Sequence, residues 1–578
     1  MFNKTIKRRV LNEIPDDLKS LPELTQRLYA CRGIRSSKEV NTNLSALHDY
    51  RLLDGVEDAA RMLADVINEQ QSVMIVGDFD ADGATSTALL MLALPKFGLK
   101  NLNYIVPNRF EFGYGLSVGI VEEIAKHQPD WIITVDNGIS NIDGVALARE
   151  LGINVLITDH HLAPEQLPNA NHILNPNKPG DGFPSKAMAG VGVAFYLLIA
   201  LRAELRQRNA FADGQEPNLG DWLDLVALGT VADVVPLDQN NRILVAQGLA
   251  RIRAGECRPA IKMLLEVAKR KQRQVTASDL GFAVGPRLNA AGRLEDMSIG
   301  IEALITGNEE AARRLVLELD DLNRYRRERE KEMVDEAQQA ISHLNLEQQQ
   351  RQNGYCLFHQ DWHQGIVGLV ASRIKEKLHR PVIAFAPEDE LFLKGSGRSV
   401  EGVHLRDVLA NVAARRPDLL QKFGGHAMAA GLSIARRHLA EFTKVFIEEV
   451  DRWLLDSSIR EELLTDGELD DRQFSIEVNA EIERAGPWGQ GFPEPLFDGK
   501  FDVLSQRIVG EKHLKLYLQK HNSAVTVDGI YFFAPEEILH QPLDKVELAY
   551  KLNANEFREQ VNLQLIIEQL TPLTNIES

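Results

Sequence analysis

Three short apolar runs, rich in β-branched residues and each broken off by acidic or imidazole side chains, constrain this chain most. Val73 to Val76 stops at Gly77 and delivers Asp78, Asp80 and Asp82. Trp131 to Val135 runs into Asp136, and Val155 to Thr158 runs into Asp159, His160 and His161. Strands this short and uniformly apolar belong in a parallel sheet covered on both faces. Open sheets of that kind place their ligand sites at the C-terminal ends of the strands. A fourth carboxylate, Asp233, ends the apolar stretch that begins at Leu228, and is expected at an equivalent strand end. Ala84 to Leu94 reads as a helix, and βα alternation from about Leu53 to Leu249 predicts a doubly wound sheet.

Carboxylates crowded into one volume repel one another, so the cluster is either costly or neutralised by cations. A calcium loop of EF-hand type matches Asp78, Asp80, Asp82 and Gly83. It fails because Leu89 stands where the bidentate Glu is required and a strand, not a helix, comes before it. Taken singly, a strand-end Asp can be a helix N-cap and a His can be structural. Several such groups at matching strand ends point instead to a metal centre.

At 578 residues the chain is long enough for three to four domains at roughly 150 residues each, and 44% hydrophobic content supplies their cores. Cys31, Cys257 and Cys356 lie far apart without metal-ligand spacing, which argues against disulfides and structural zinc. The polar, basic start and the lack of a long apolar run predict a soluble, cytoplasmic protein with no membrane contact. A net charge of -18 disfavours broad adhesion to nucleic acid. Basic residues nevertheless gather at Lys269, Arg270, Lys271 and Arg273, and at Arg313, Arg314, Arg324, Arg326, Arg327 and Arg329, either as solvated helix faces or as a phosphate track.

Five regions are expected: an N-terminal arm (1-50), an α/β domain (51-307), a bridging helix (308-344), a second α/β domain (345-460) and a β domain (461-578). The helix follows from a stretch free of Pro and Gly after Asn308, rich in Glu, Arg, Ala and Leu. Its apolar spacing lapses where the arginines crowd, which favours a monomer over a coiled-coil dimer. Beyond it, strands at Tyr355 to Phe358 and Pro381 to Phe385 flank a helix carrying Ser372 and Arg373, opened by Gly365 and Gly368, which either let amides and Arg373 meet an anion or simply allow close packing. Five alternating segments, 501 to 508, 513 to 519, 524 to 533, 546 to 552 and 561 to 567, suit a small barrel of the single-strand-binding OB type or a purely structural β cap.

Asp159-His160-His161 together with Asp78-x-Asp80-x-Asp82-Gly83 resembles the DHH phosphoesterase superfamily. The stretches Gly285-Pro286-Arg287-Leu288-Asn289, Gln364-Gly365-Ile366-Val367-Gly368 through Arg373, and Gly424-Gly425-His426 narrow the likeness to the RecJ single-strand-specific DNA exonucleases, over nearly the whole chain. The resemblance implies a DHH domain, a DHHA1 domain holding the substrate's phosphates, and an OB-fold-like barrel. It implies two Mn²⁺ or Mg²⁺ ions about 3.5 to 4 Å apart. Asp136 would bridge them, with Asp80 and Asp78 at one ion and Asp82, His160 and Asp233 at the other. Asp159 would orient His160, His161 would contact the scissile phosphate, and His426 would stabilise developing charge. Arg109, Ser372 and Arg373 would grip a 5′ phosphate, so that degradation runs 5′ to 3′; Tyr114, between Gly113 and Gly115, either narrows the entrance against a paired strand or packs in its Gly-flanked turn. Arg287, Asn289, Arg398, Gly424 and Gly425 belong to the same DNA-binding motifs. A single-strand-binding protein and a helicase are the implied partners beside single-stranded DNA, in DNA repair and recombination.

Overall fold

The computed structural model describes residues 4-108, 112, 114-212, 214-342, 352-454, 462-557 and 560-573. The chain divides into two compact units: Ile6–Asp320 with Leu463–Ser578, and Met1–Thr5 with Asp321–Glu462.

The first unit contains a fully parallel sheet of β1 (Val73–Val76), β2 (Leu102–Ile105), β3 (Trp131–Val135), β4 (Asn154–Thr158) and β5 (His172–Leu174), in the order β2-β1-β3-β4-β5. The apolar runs noted in the sequence are its central strands, and every residue of β1 and β3 is buried. Strand order reverses between β1 and β3, where a doubly wound sheet opens a crevice at its carboxyl edge. Asp78 to Asp82 leave β1 at that crevice and Asp136 leaves β3.

Three helices line the site: α2 (Ala81–Lys96), α3 (Gly190–Gln207) and α4 (Leu223–Ala232). Helix α2 starts three residues earlier than the sequence suggests, because Asp80 is its N-cap and accepts from the amides of Asp82 and Gly83 at 3.0 Å each. One expectation is overturned here. Asp233 does not end a strand; it follows α4, whose apolar residues pack on all sides and so mimic a buried strand in sequence.

This unit also holds a closed barrel of β11 (Phe497–Val509), β12 (His513–Lys520), β13 (Thr526–Tyr531), β14 (Lys545–Phe557) and β15 (Gln560–Pro572), in the order β11-β12-β13-β15-β14. Leu514, Leu516 and Leu518 point inward and are at most 1% exposed, as their alternation requires. The N-terminal segment joins this domain. Its helix α1 (Glu23–Ala30) buries Leu24 and Leu28 in the barrel core, and Arg32 pairs with buried Asp466 at 2.8 Å.

The second unit carries a mixed sheet of β6 (Tyr355–Phe358), β7 (Val382–Pro387), β8 (Phe392–Arg398), β9 (Lys422–Gly425) and β10 (Ala429–Ala435), ordered β9-β10-β8-β7-β6. Helix α7 (Val367–Leu378) lies between β6 and β7 in the chain. The long helix α6 spans Glu309–Ser342, and the remaining expected helical positions, 343 and 344, lie outside the described residues. Its first turns belong to the first unit and the rest to the second.

Candidate metal centre

The carboxylates of Asp78, Asp82 and Asp136 are at most 3% exposed, and those of Asp82, Asp136 and Asp233 converge on His160. His160 Nε2 stands 3.0 Å from Asp136, 3.5 Å from Asp233 and 4.0 Å from Asp82. Three overlapping sets have ligand atoms within 4.8 Å of one another: Asp78, Asp80 and Asp136; Asp82, His160 and Asp233; and Asp136, His160 and His161. Asp136 holds a left-handed φ of 61°, rare for a residue with a Cβ. The Asn137 side chain pins that turn by donating to the carbonyls of Val76 and Val135. Val234, just after Asp233, is likewise left-handed at 63°. Backbone strain therefore accompanies ligand-bearing turns on two elements.

The electrostatics are those of a site built for cations. Burial and then Asp80 push the Asp82 carboxyl up to about 7. Burial and neighbouring acids raise Asp136 and Asp233 well above the usual carboxylate range. Burial, reinforced by His161, pulls His160 down to about 4, so its ring is neutral near pH 7. The ring bonds the backbone of Met188, and since Nε2 has no hydrogen-bond partner, that bond falls to Nδ1. Nε2 therefore offers a lone pair, and Asp136 Oδ1, also buried without a partner, offers another. Two facing acceptors 3.0 Å apart, ringed by carboxylates, fit hard divalent cations such as Mn²⁺ or Mg²⁺.

Several supporting contacts escape sequence reading. The amides of Gly190 and Val191, at the start of α3, donate to the two oxygens of Asp82 at 2.6 and 3.0 Å. A Cβ on Gly190 would stand 2.7 Å from the Asp136 Cβ, so only glycine fits. Gly-rich Gly190-Val191-Gly192 was the available signal. Asp159 is also placed differently from expectation. Its Oδ1 accepts from the ring Nδ1 of His161 at 2.7 Å, while it meets His160 only through that residue's backbone amide. Burial lowers the affinity of His161 for its proton, but the Asp159 bond outweighs this and pushes it up to about 9. Asp159 thus orients His161, whose backbone amide it also accepts from at 3.1 Å.

Around the rim, the Tyr114 hydroxyl donates to the Asp136 carbonyl at 3.2 Å and its ring packs edge-on to His161 and Phe79. Arg109 lies outside the described residues. Helix α5 (Gly285–Leu294) lies flush on the Asp78-Asp80 loop. Its Asn289 accepts from the Ala81 amide at 2.8 Å, and a Cβ on Gly292 would fall 1.8 Å from the Phe79 carbonyl oxygen. Arg287 donates to Asp320 at 2.8 Å and to the Ala283 carbonyl. Asn289 and Gly292 thus brace the acidic loop, while Arg287 is tied to Asp320 and Ala283.

The chain matches a DHH family N-terminal domain over residues 72–230, a DHHA1 domain over 352–454 and a RecJ OB domain over 465–569. It is 52% identical to the single-stranded-DNA-specific exonuclease RecJ of Dickeya dadantii (strain 3937), over 97% of this chain and 97% of that protein. The chain belongs to the RecJ family. It is 50% identical to the RecJ of Escherichia coli (strain K12) over 98% of its own length and 99% of the relative. A crystal structure of Thermus thermophilus RecJ in complex with Mn²⁺ superposes with a TM-score of 0.80 at 28% identity, over 96% of this chain and 77% of that one. The same protein with Mg²⁺ gives 0.74 at 26%. Both ions suit the oxygen-rich donor set described above.

In the second unit of this RecJ-family chain, Ser372 is half-buried on α7 and Arg373 pairs with Glu330 at 3.0 Å. Arg398 is half-buried, with Nη1 donating to Ser396 Oγ at 3.1 Å and to the Gly397 carbonyl. Gly424 and Gly425 end β9, and exposed His426 donates its amide to the Ala429 carbonyl at 2.8 Å. The basic clusters carry local acids: Lys271 meets Glu556, Arg270 meets Asp279, Arg313 meets Glu266 and Arg329 meets Glu332. No described helix is long and apolar enough to cross a membrane.

Proposed function

We propose that this chain is a single-stranded-DNA-specific exonuclease that hydrolyses phosphodiester bonds from the 5′ end and releases nucleoside 5′-monophosphates, in DNA repair and recombination. The observation that carries this reading is the pair of buried, partnerless acceptors, Asp136 Oδ1 and His160 Nε2, at the heart of overlapping acidic triads. Asp78, Asp80 and Asp136 would hold one ion, and Asp82, His160 and Asp233 would hold the other. Bound there, Mn²⁺ or Mg²⁺ supplies Lewis acidity and a water deprotonated near neutral pH.

The chain's own groups do the rest. Asp159 fixes the His161 ring and keeps it protonated, so that Nε2–H donates to the scissile phosphate or the leaving oxygen. Tyr114 is held by the Asp136 carbonyl and narrows the rim to a single strand. Arg109, Ser372 and Arg373 grip the 5′ phosphate. Arg398, Gly424 and Gly425 supply further phosphate donors and His426 stabilises developing charge, while Asn289 acts on DNA through the loop it supports and Arg287 belongs to the same DNA-binding motif. Exposed Tyr517, Phe532 and Phe533 on the barrel offer faces on which bases stack. The chain works as a monomer in the cytoplasm, beside a single-strand-binding protein and a helicase.

End-labelled single-stranded DNA with Mn²⁺ or Mg²⁺ tests the proposal against hairpin and dinucleotide substrates. Loss of label from the 5′ end as mononucleotide is expected, with hairpins resistant. Hydrolysis restricted to dinucleotides would refute it. Asp136→Ala is expected to abolish turnover while single-strand binding persists.

A further inference from the structure

In the second unit a carboxylate is buried between two guanidinium groups. Glu330, on α6, is 8% exposed. One of its oxygens accepts from Arg326 Nη1 at 2.7 Å and the other from Arg373 Nε at 3.0 Å. Arg326 is fixed in turn, because its Nη2 donates at 2.8 Å to Asn323, which is 3% exposed. The head of Arg373 is therefore anchored along one edge by immobile groups, while 59% of its side chain stays open to solvent. Arg373 Nη1 also reaches Glu376 at 3.3 Å, but both partners of that pair are more than half exposed and it constrains little.

We propose that Glu330 is a positioning residue for the 5′ end of the DNA strand. It holds Arg373 by Nε and leaves the Nη2 edge for the terminal phosphate. This rests on the reading of Arg373 as a 5′-phosphate ligand. Two physical points carry it. An arginine clamped before the ligand arrives surrenders less rotamer freedom on binding than a free one. A carboxylate beside a phosphate-binding arginine would ordinarily dilute its charge, yet Arg326 supplies a second cation, so Arg326, Glu330 and Arg373 together keep a net positive charge of one. An ion triad that merely tied α6 to α7 would affect stability and nothing else.

The test compares kcat/KM on one single-stranded oligonucleotide carrying a 5′ phosphate or a 5′ hydroxyl. Arg373→Ala sets the full loss of preference for the phosphate. Glu330→Gln is expected to lower that preference about tenfold, mainly through KM, as for one charge-assisted contact. In the Arg373→Ala background it is expected to lower it no further. Should Glu330→Gln not fold, Arg326→Lys loosens the same clamp without removing the cation, and a smaller drop is expected. An undiminished preference in Glu330→Gln, or an equal loss with and without Arg373, overturns the inference while leaving the role of Arg373 intact. An undiminished preference in Arg373→Ala overturns both.

Discussion

The proton load on Asp82 allows a quantitative test of the metal centre. Its carboxyl is pushed up to about 7, whereas His160 is pulled down to about 4 and is already neutral at pH 5. An ion that uses the Asp82 carboxylate must therefore expel a proton from Asp82 below pH 7, but none from His160. Each pH step of one then changes the apparent affinity tenfold per proton released, or about 1.36 kcal/mol. Between pH 5 and 7, Asp82 alone should tighten Mn²⁺ binding about 50-fold, equivalent to about 2.3 kcal/mol. Asp136 and Asp233, whose carboxyls burial and neighbouring acids also raise, add to the slope. Without metal the sign is opposite. Because the folded state raises the Asp82 pKa, its stabilising contribution is complete below about pH 4 and is lost as pH rises through about 7. Calorimetric titration with Mn²⁺ in two buffers of different ionisation enthalpy counts the protons released, and melting with and without chelator reports the stability. Mn²⁺ affinity independent of pH between 5 and 7, with no proton release, would refute the placement of Asp82 at a metal. Asp82→Asn should flatten the slope.

Three further outcomes are expected. Gly190→Ala, whose Cβ would stand 2.7 Å from the Asp136 Cβ, should cost about 1 to 3 kcal/mol by overpacking and weaken Mn²⁺ binding, read by melting and titration. Asp159→Asn removes the bond that holds His161 up at about 9, so the alkaline limb of the pH–rate profile should move toward neutral; an unmoved limb would dissociate His161 from turnover. Leu516→Ala, in the closed barrel and 1% exposed, should destabilise by about 2 to 5 kcal/mol in denaturant unfolding and spare dinucleotide hydrolysis.

Much of this protein is legible locally. Apolar runs of four or five residues ending in acids give the parallel strands and the carboxyl-edge location of Asp78, Asp80, Asp82, Asp136 and His160. Alternating Leu514, Leu516 and Leu518 give the barrel wall. Where reading failed, a local pattern had two structural solutions. The apolar stretch before Asp233 fits a buried strand or a fully packed helix equally well, and packing chose the helix. Asp159 sits beside both histidines in sequence, and only the turn geometry hands its carboxylate to the second ring.

The sequence by itself determined that Asp78, Asp136 and Asp159 follow neighbouring strands at one edge, since side-chain type and strand period are short-range properties. Only the tertiary structure decided that Gly190 and Val191 amides, 108 and 109 positions away, would donate to the Asp82 carboxylate. The same is true of Leu24 and Leu28, which close a barrel core built from the other end of the chain. Such pairings follow from which surfaces bury one another, and no local spacing encodes that.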